Sequence, residues 1–422
     1  MRNRGADSIY VILSGASSFF YRMIFVVEVF YQIKMVGLNP LQLVLVGTLW
    51  QSISFLCQTP TGILADMYSR RWAVVLGLSL VGAGFLIEGS FPVFAAVLAA
   101  QVLSALGGTL MNGADAAWIA DEVGAERVGW VYLRAAQIGS IAGLLGIAVS
   151  TGLAAVRLNL PIILAGGAFV VLSIVLALVM PERHFTPAPR EERTSWQHMG
   201  YTLRASLRVV RRRPVLRTIL GISAFYGMFG AGFDRLWPYH LQHTITFPAL
   251  GGLPPVVWFG LIEAGITVTN LCGIEVVRRR IPMTNHRAVA WTLCAIDGLT
   301  IMGVAAFAVI GPFGLALAVF FLVTTALGPR ASLEQVWMNR SLDPAMRATV
   351  FSLHGQAGTL AGIVGGPILG AIATALTTRA ALFAAAVVLA PTLLLYIRIV
   401  RHDTSLPAPI APGAHPPASS LE

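Results

Sequence analysis

Charge is scarce in this chain: only 11% of its 422 residues are Asp, Glu, Lys or Arg, while 56% are hydrophobic. A soluble domain carries far more polar surface than that, so a water-soluble globular fold is excluded. Cysteine is scarce too, and Cys57, Cys272 and Cys294 all fall inside apolar runs. Such placement suits neither a disulfide framework nor a cysteine metal site, and no metal or other cofactor is expected. Alternation of apolar and polar residues is missing, which argues against a β-barrel. Paired metal ligands, a nucleotide loop, Walker-type residues and a nucleophile elbow are missing as well, so ATP drive within this chain is excluded and an intramembrane enzyme is the remotest reading.

What the chain has in abundance is apolar length, with a mean hydropathy of +0.75. Runs of about 20 residues, enough for a helix to cross a ~30 Å hydrocarbon core, recur from Ile9 almost to the C-terminus. Spans are predicted over 9–35, 40–64, 72–90, 92–120, 128–153, 158–180, 214–240, 254–277, 288–310, 312–338, 347–375 and 379–400. The fold class is therefore an all-α polytopic membrane protein of twelve transmembrane helices in two six-helix halves, 1–180 and 214–400. The first run is too long for a cleaved signal peptide and carries charges, so it counts as a retained span.

The net charge of +10 does not point to nucleic acid, because the basic residues sit in alternate loops. Arg2, Arg4, Arg70, Arg71, Arg127, the stretch 183–217, Arg278 to Arg280, Arg287, Arg340, Arg347, Arg398 and Arg401 share one side, against Lys34, Arg157 and Arg379 on the other. The positive-inside rule then makes both termini and the central loop cytoplasmic, in a multi-pass protein of the inner (plasma) membrane. The loop 181–213 is the linker, and in it Trp196, Met199, Leu203, Leu207 and Val210 keep helical spacing while Arg204, Arg208, Arg211 and Arg212 fall elsewhere. That pattern predicts an interfacial helix on the anionic leaflet; a plain solvated linker is the alternative. The Pro-rich tail 401–422 is expected to be disordered.

The chain also repeats itself. Subtracting 219 maps Glu334, Trp337, Gln356, Gly358, Gly362 and Gly365 onto Asp115, Trp118, Gln137, Gly139, Gly143 and Gly146, so spans ten and eleven echo four and five. Two similar halves place a substrate site at the midplane between them.

Between spans two and three stands Gly62-Ile-Leu-Ala-Asp66-Met-Tyr-Ser-Arg70-Arg71. It resembles the loop motif G-x-L-a-D-x-x-G-R-R of the major facilitator superfamily, with Ser69 in place of the inner Gly. The resemblance implies a conformational latch built from Gly62, Asp66, Arg70 and Arg71, with Asp121 on span four as the acid that Arg70 reaches. Gly62 is expected to permit close packing of the helix end. Gly139, Gly143 and Gly146 on span five, with Gly358, Gly362, Gly365, Gly366 and Gly370 on span eleven, resemble the glycine-rich motif of the superfamily's drug:proton antiporters. Ordinary small-residue helix packing is the alternative. Span five lacks that motif's Pro, and Gln101 stands where those antiporters carry an Arg tied to proton coupling.

Ionisable residues within a bilayer cost roughly 2.5–3.5 kcal/mol on insertion scales, so they face a cavity or a partner. Arg22 and Glu263 fall near the midplane, Glu28, Asp234 and Arg235 toward the outer side, and Asp115, Arg134, Arg330, Glu334 and His354 toward the inner side. The substrate or proton site is expected among Arg22, Glu28, Asp115, Arg134, Asp234, Arg235, Glu263 and Glu334. Tyr21, Phe25, Trp118, Tyr226, Trp237 and Trp337 are candidate pore aromatics. Arg330 and Glu334, four apart, can equally pair along their own helix. The expected protein is a monomeric secondary transporter working by alternating access, coupled to protons and exporting an amphipathic small molecule such as a drug or natural product. Uptake of an organic anion by symport, with Arg22 as its anchor, is the alternative.

Overall fold

A computed structural model describes residues 4–187, 214–249, 251–341 and 347–402. The expected interfacial helix and the tail beyond His402 lie outside the described residues; Arg401 and His402, assigned to that tail, instead close the last helix. Fourteen helices make up the described fold. In the first half these are α1 (Arg4–Lys34), α2 (Pro40–Met67), α3 (Arg70–Ser90), α4 (Phe94–Met111), α5 (Ala114–Val123), α6 (Ala125–Val156) and α7 (Leu160–Val179). The second half holds α8 (Pro214–Thr244), α9 (Val256–Arg280), α10 (His286–Val309), α11 (Phe313–Leu327), α12 (Arg330–Ser341), α13 (Arg347–Ala375) and α14 (Thr378–His402).

Twelve crossings of membrane-spanning length and hydropathy result, with α4 and α5 forming the fourth and α11 and α12 the tenth. Helix is the form that satisfies every backbone N–H and C=O within its own segment, as lipid requires. An even number of crossings places Arg4 and His402 on one face of the bundle, here the terminal face; the opposite end is the far face.

Spans four and ten, predicted as single helices, are each broken, and the breaks have local causes. Gly113 takes a left-handed φ of 84° ahead of α5, a conformation open to glycine and costly for residues with a Cβ. At the second break Pro329 cannot donate a backbone hydrogen bond, and Gly328 passes so close to α9 that a Cβ there would lie 3.0 Å from the Asn270 Cα.

The halves repeat one packing scheme. In the first, α1 lies along α6 and α3 along α4 and α7; in the second, α8 lies along α13 and α10 along α11 and α14. Glycines set the closest approaches. A Cβ at Gly146 would come 2.6 Å from the Phe19 carbonyl oxygen, and one at Gly227 would overlap the Gly358 carbonyl oxygen. The glycines of the fifth and eleventh spans thus serve as small-residue packing surfaces.

Across the halves, α2 packs on α13 and α6 on α9. Gly366 and Gly370 of α13 face Val44, Thr48 and Leu41 of α2, and the Leu41 amide donates to Thr374 Oγ1 at 3.0 Å. Gly260 of α9 meets Thr151 of α6. These contacts all lie in the far-face portions of their helices.

Candidate functional site

A cavity of about 550 Å³ lies between the halves, walled by α1 and α2 on one side and α8 and α9 on the other. Its charged lining is Arg22, Glu28, Asp234, Arg235 and Glu263, and its aromatic lining is Phe25, Phe30, Trp50, Trp237 and Phe259. Arg22 sits where Gly143 and Gly146 leave room on α6: a Cβ at Gly146 would be 3.1 Å from the Arg22 Cβ. From that seat its guanidinium reaches Glu263 of the other half at 3.8 Å, with the arginine side chain still 47% exposed. Arg235 spans toward the first half, its Nε 3.1 Å from where a Cβ on Gly47 would stand. Asp234, one residue earlier, is exposed along the same wall.

Phe30 and Trp237 stand against Phe259 with ring centroids 4.8 and 6.2 Å away. These rings, contributed by both halves, line an apolar part of a cavity that otherwise carries charges of both signs. Such a lining can hold a molecule with an apolar body and a charged group.

Seven sequence-predicted residues therefore come together: Arg22, Phe25, Glu28, Asp234, Arg235, Trp237 and Glu263. Tyr21 stands behind them, stacked on Phe25 at 5.5 Å. Others lie elsewhere. Trp337 is fully buried against Tyr396, and Trp118 is buried with its indole N–H donating to the Pro181 carbonyl at 2.6 Å, so neither is a pore aromatic. Tyr226 belongs to a buried knot in the second half: its hydroxyl donates to Asp297 Oδ1 at 3.0 Å, and its ring lies 3.0 Å beneath the Arg330 guanidinium. In that knot Arg330 also pairs with Glu334 at 2.8 Å and Asp297 at 3.3 Å, and His354 Nε2 lies 3.1 Å from Glu334. Glu334 is thus held inside one half and does not line the cavity. Asp115 opens α5 near the terminal face, and exposed Arg134 stacks over Trp130 at 5.2 Å; neither joins the cavity.

The loop motif is assembled at the terminal face. Arg70 bridges Asp66 at 3.3 Å and Asp121, and Arg71 donates to the Ala177 carbonyl. Ser69 explains the missing Gly of the motif. Its backbone is extended, with φ −174°, so no glycine is needed, and its Oγ caps α3 by accepting from the Trp72 amide at 3.0 Å. The same hydroxyl donates to Glu182 Oε2 at 2.6 Å, tying the loop to the chain just after α7. The packing expectation for Gly62 is overturned, since a Cβ there would meet nothing within 4 Å. In the second half Glu275 pairs with Arg278 at 2.7 Å and Arg279 at 2.5 Å along α9 itself.

Sequence reasoning missed Glu88, Trp50, Phe30 and Phe259. Glu88 is the most consequential. It is fully buried beside Glu28, and the one available signal was an acid inside the third apolar run, close enough to its end to pass for a boundary charge.

Among the described residues, twelve apolar helices in two pseudo-symmetric halves flank a charged cavity, the layout of a polytopic membrane protein with a site between its halves. The chain belongs to the Major Facilitator Superfamily, whose family model matches residues 10–366. Solved structures with the same fold include the nucleoside transporter NupG, with 12% identity, a TM-score of 0.73, and 96% of this chain and 100% of that one covered. A bacterial homolog of the human lysosomal transporter Spinster, captured inward-facing and unoccupied, gives 14% identity, a TM-score of 0.70, and coverage of 94% and 98%. The peptide transporter POT in complex with sulfate gives 15% identity, a TM-score of 0.71, and coverage of 95% and 96%. No curated protein matches the chain in sequence. Membership of this family makes it a multi-pass secondary transporter of a small-molecule substrate, and these structures share its fold.

Proposed function

We propose that the chain is a proton-coupled exporter of an amphipathic small molecule bearing a charged group, working by alternating access with both termini cytoplasmic. The observation that carries this reading is the cavity itself, where aromatic rings and the Arg22–Glu263 pair share one space between the halves. Glu263 and Glu28 are the carboxylates assigned to a proton or a cationic substrate, with Arg22 competing for Glu263. Charge of opposite sign near a carboxylate favours its ionised form, so a cation bound there and a proton exclude each other. The far-face contacts form the closed gate of this state, and the Asp66–Arg70–Asp121 cluster steadies the terminal-face latch.

A second reading, uptake of an organic anion, is favoured by two arginines in the same cavity, Arg22 and Arg235. Inverted membrane vesicles separate the two readings. Export predicts that a fluorescent amphipathic cation such as ethidium accumulates in them under an imposed pH gradient and leaks out when a protonophore is added. Vesicles carrying Asp66→Asn should lose this accumulation with the protein's melting temperature unchanged. Accumulation that ignores the protonophore contradicts proton coupling, and anion accumulation in right-side-out vesicles alone favours uptake.

A further inference from the structure

Behind the cavity wall, at the far end of the first half, two carboxylates share one dry site. Glu28 and Gln32 stand one turn apart on α1, Glu88 is in the last turn of α3, and Gln101 faces them from α4. Gln32 Nε2 donates to Glu28 Oε1 at 3.1 Å and to Glu88 Oε1 at 2.8 Å. Gln101 Nε2 donates to the same Glu28 oxygen at 3.1 Å and to Glu88 Oε2 at 3.5 Å. Glu88 and Gln32 are fully buried and Glu28 is 3% exposed.

The surroundings hold this knot rigidly. A Cβ on Gly84 would lie 2.9 Å from the Ala100 carbonyl oxygen, which is how closely α3 and α4 meet. The carbonyls at the end of α3 lack helical donors and take them from elsewhere: Tyr31 Oη donates to the Glu88 carbonyl at 2.6 Å and Asn159 Nδ2 to that of Gly89 at 2.8 Å.

Neither charge nor hydrogen bonding is complete in this knot. Among the described residues no Arg, Lys or His nitrogen lies within 4.0 Å of either carboxylate. Two carboxylates this close and this dry do not both stay ionised without a cation. The two amide groups direct their N–H donors at the carboxylates, while Gln32 Oε1 is buried with no donor of its own. The knot is thus short of a hydrogen-bond donor as well as of a positive charge. A metal cation is disfavoured, because amide nitrogens occupy the positions its oxygen ligands would need.

We propose that Glu28 and Glu88 together bind one proton, shared between them and exchanged with the cavity through Glu28, which borders it. The other groups facing the knot are Tyr31 on α1, Asn159 at the start of α7, and Arg235 of α8 across the cavity, which acts on Glu88 from beyond ion-pair distance. When a cation reaches Glu28, the proton leaves its oxygen for the cavity and the cation takes over the charge. That role in coupling rests on the proton-driven reading above; the binding site itself does not.

The test is infrared spectroscopy of the purified full chain in lipid nanodiscs, without substrate or gradient, comparing H2O with D2O. Wild type should show a neutral carboxyl stretch that Glu28→Gln and Glu88→Gln each remove, and the double variant should remove no more than either alone. Gln32→Leu keeps both carboxyls and should shift that band without abolishing it, so the assignment stands even if one Gln variant fails to fold. A band that survives in both single variants, or two bands lost separately, overturns the shared proton. So does a melting temperature raised by sodium over choline at equal ionic strength in wild type but not in Glu88→Gln. A lost band with undisturbed pH-driven accumulation keeps the site and removes its part in coupling.

Discussion

Glu263 forms, with Arg22, an ion pair across the cavity between the two halves. Its carboxylate lies 3.8 Å from Arg22, too long for a tight hydrogen bond, so the pair is loosely held and open to competition. Glu263→Gln keeps the shape and removes the charge. We expect pH-driven accumulation to fall at least tenfold while downhill flux of the same probe persists, since a coupling group is needed for the gradient and not for passage. Equal loss of both modes would make the pair a structural strut. Most of this wall was legible in the sequence, because a charged residue in a span must face something polar. The carboxylate knot was not. Glu28 and Gln101 appeared as polar positions on separate spans, and nothing in one sequence brings Glu88, 60 residues after Glu28, to a distance that two glutamine amides can bridge.

Helices in lipid gain little from burying apolar side chains, so close backbone approach carries their association. Gly227 and Gly62 mark the two extremes. A Cβ on Gly227 would overlap the Gly358 carbonyl, forcing α8 from α13 at an expected cost of about 1–3 kcal/mol. Gly62 faces open space, and alanine in a helix interior is favoured over glycine by roughly 0.5–1 kcal/mol. Thermal unfolding in detergent should therefore show Gly227→Ala lowered in melting temperature and Gly62→Ala equal to or above wild type. A fall in Gly62→Ala matching that in Gly227→Ala would contradict this packing. The sequence repeat announced the glycine stripes of spans five and eleven, yet not their partners, nor that Gly62 is unneeded for packing. Helix breaks were legible only as residue types: Gly113 and Pro329 were visible, but whether the chain bends at such residues is settled by the neighbours that crowd them.

At the scale of the whole molecule, twelve spans and two pseudo-symmetric halves followed from apolar length and the internal repeat, both consequences of the solvent in which the chain folds. The face on which the halves meet did not, because the contacts of α2 with α13 and α6 with α9 join residues hundreds of positions apart. Those contacts gather toward the far face, and alternating access requires that they open as the terminal-face portions of the halves approach. Pulsed electron resonance on spin-labelled protein in nanodiscs measures this directly. Cys57, Cys272 and Cys294 are first replaced by Ser. One label pair is then placed at Gly62 and Gly355, where added side chains meet open space at the terminal face, and another at exposed Met35 and Leu376 near the far face. Across a pH titration the terminal-face distance should shorten as the far-face distance lengthens. Distances that stay fixed, or that rise and fall together, would contradict the account.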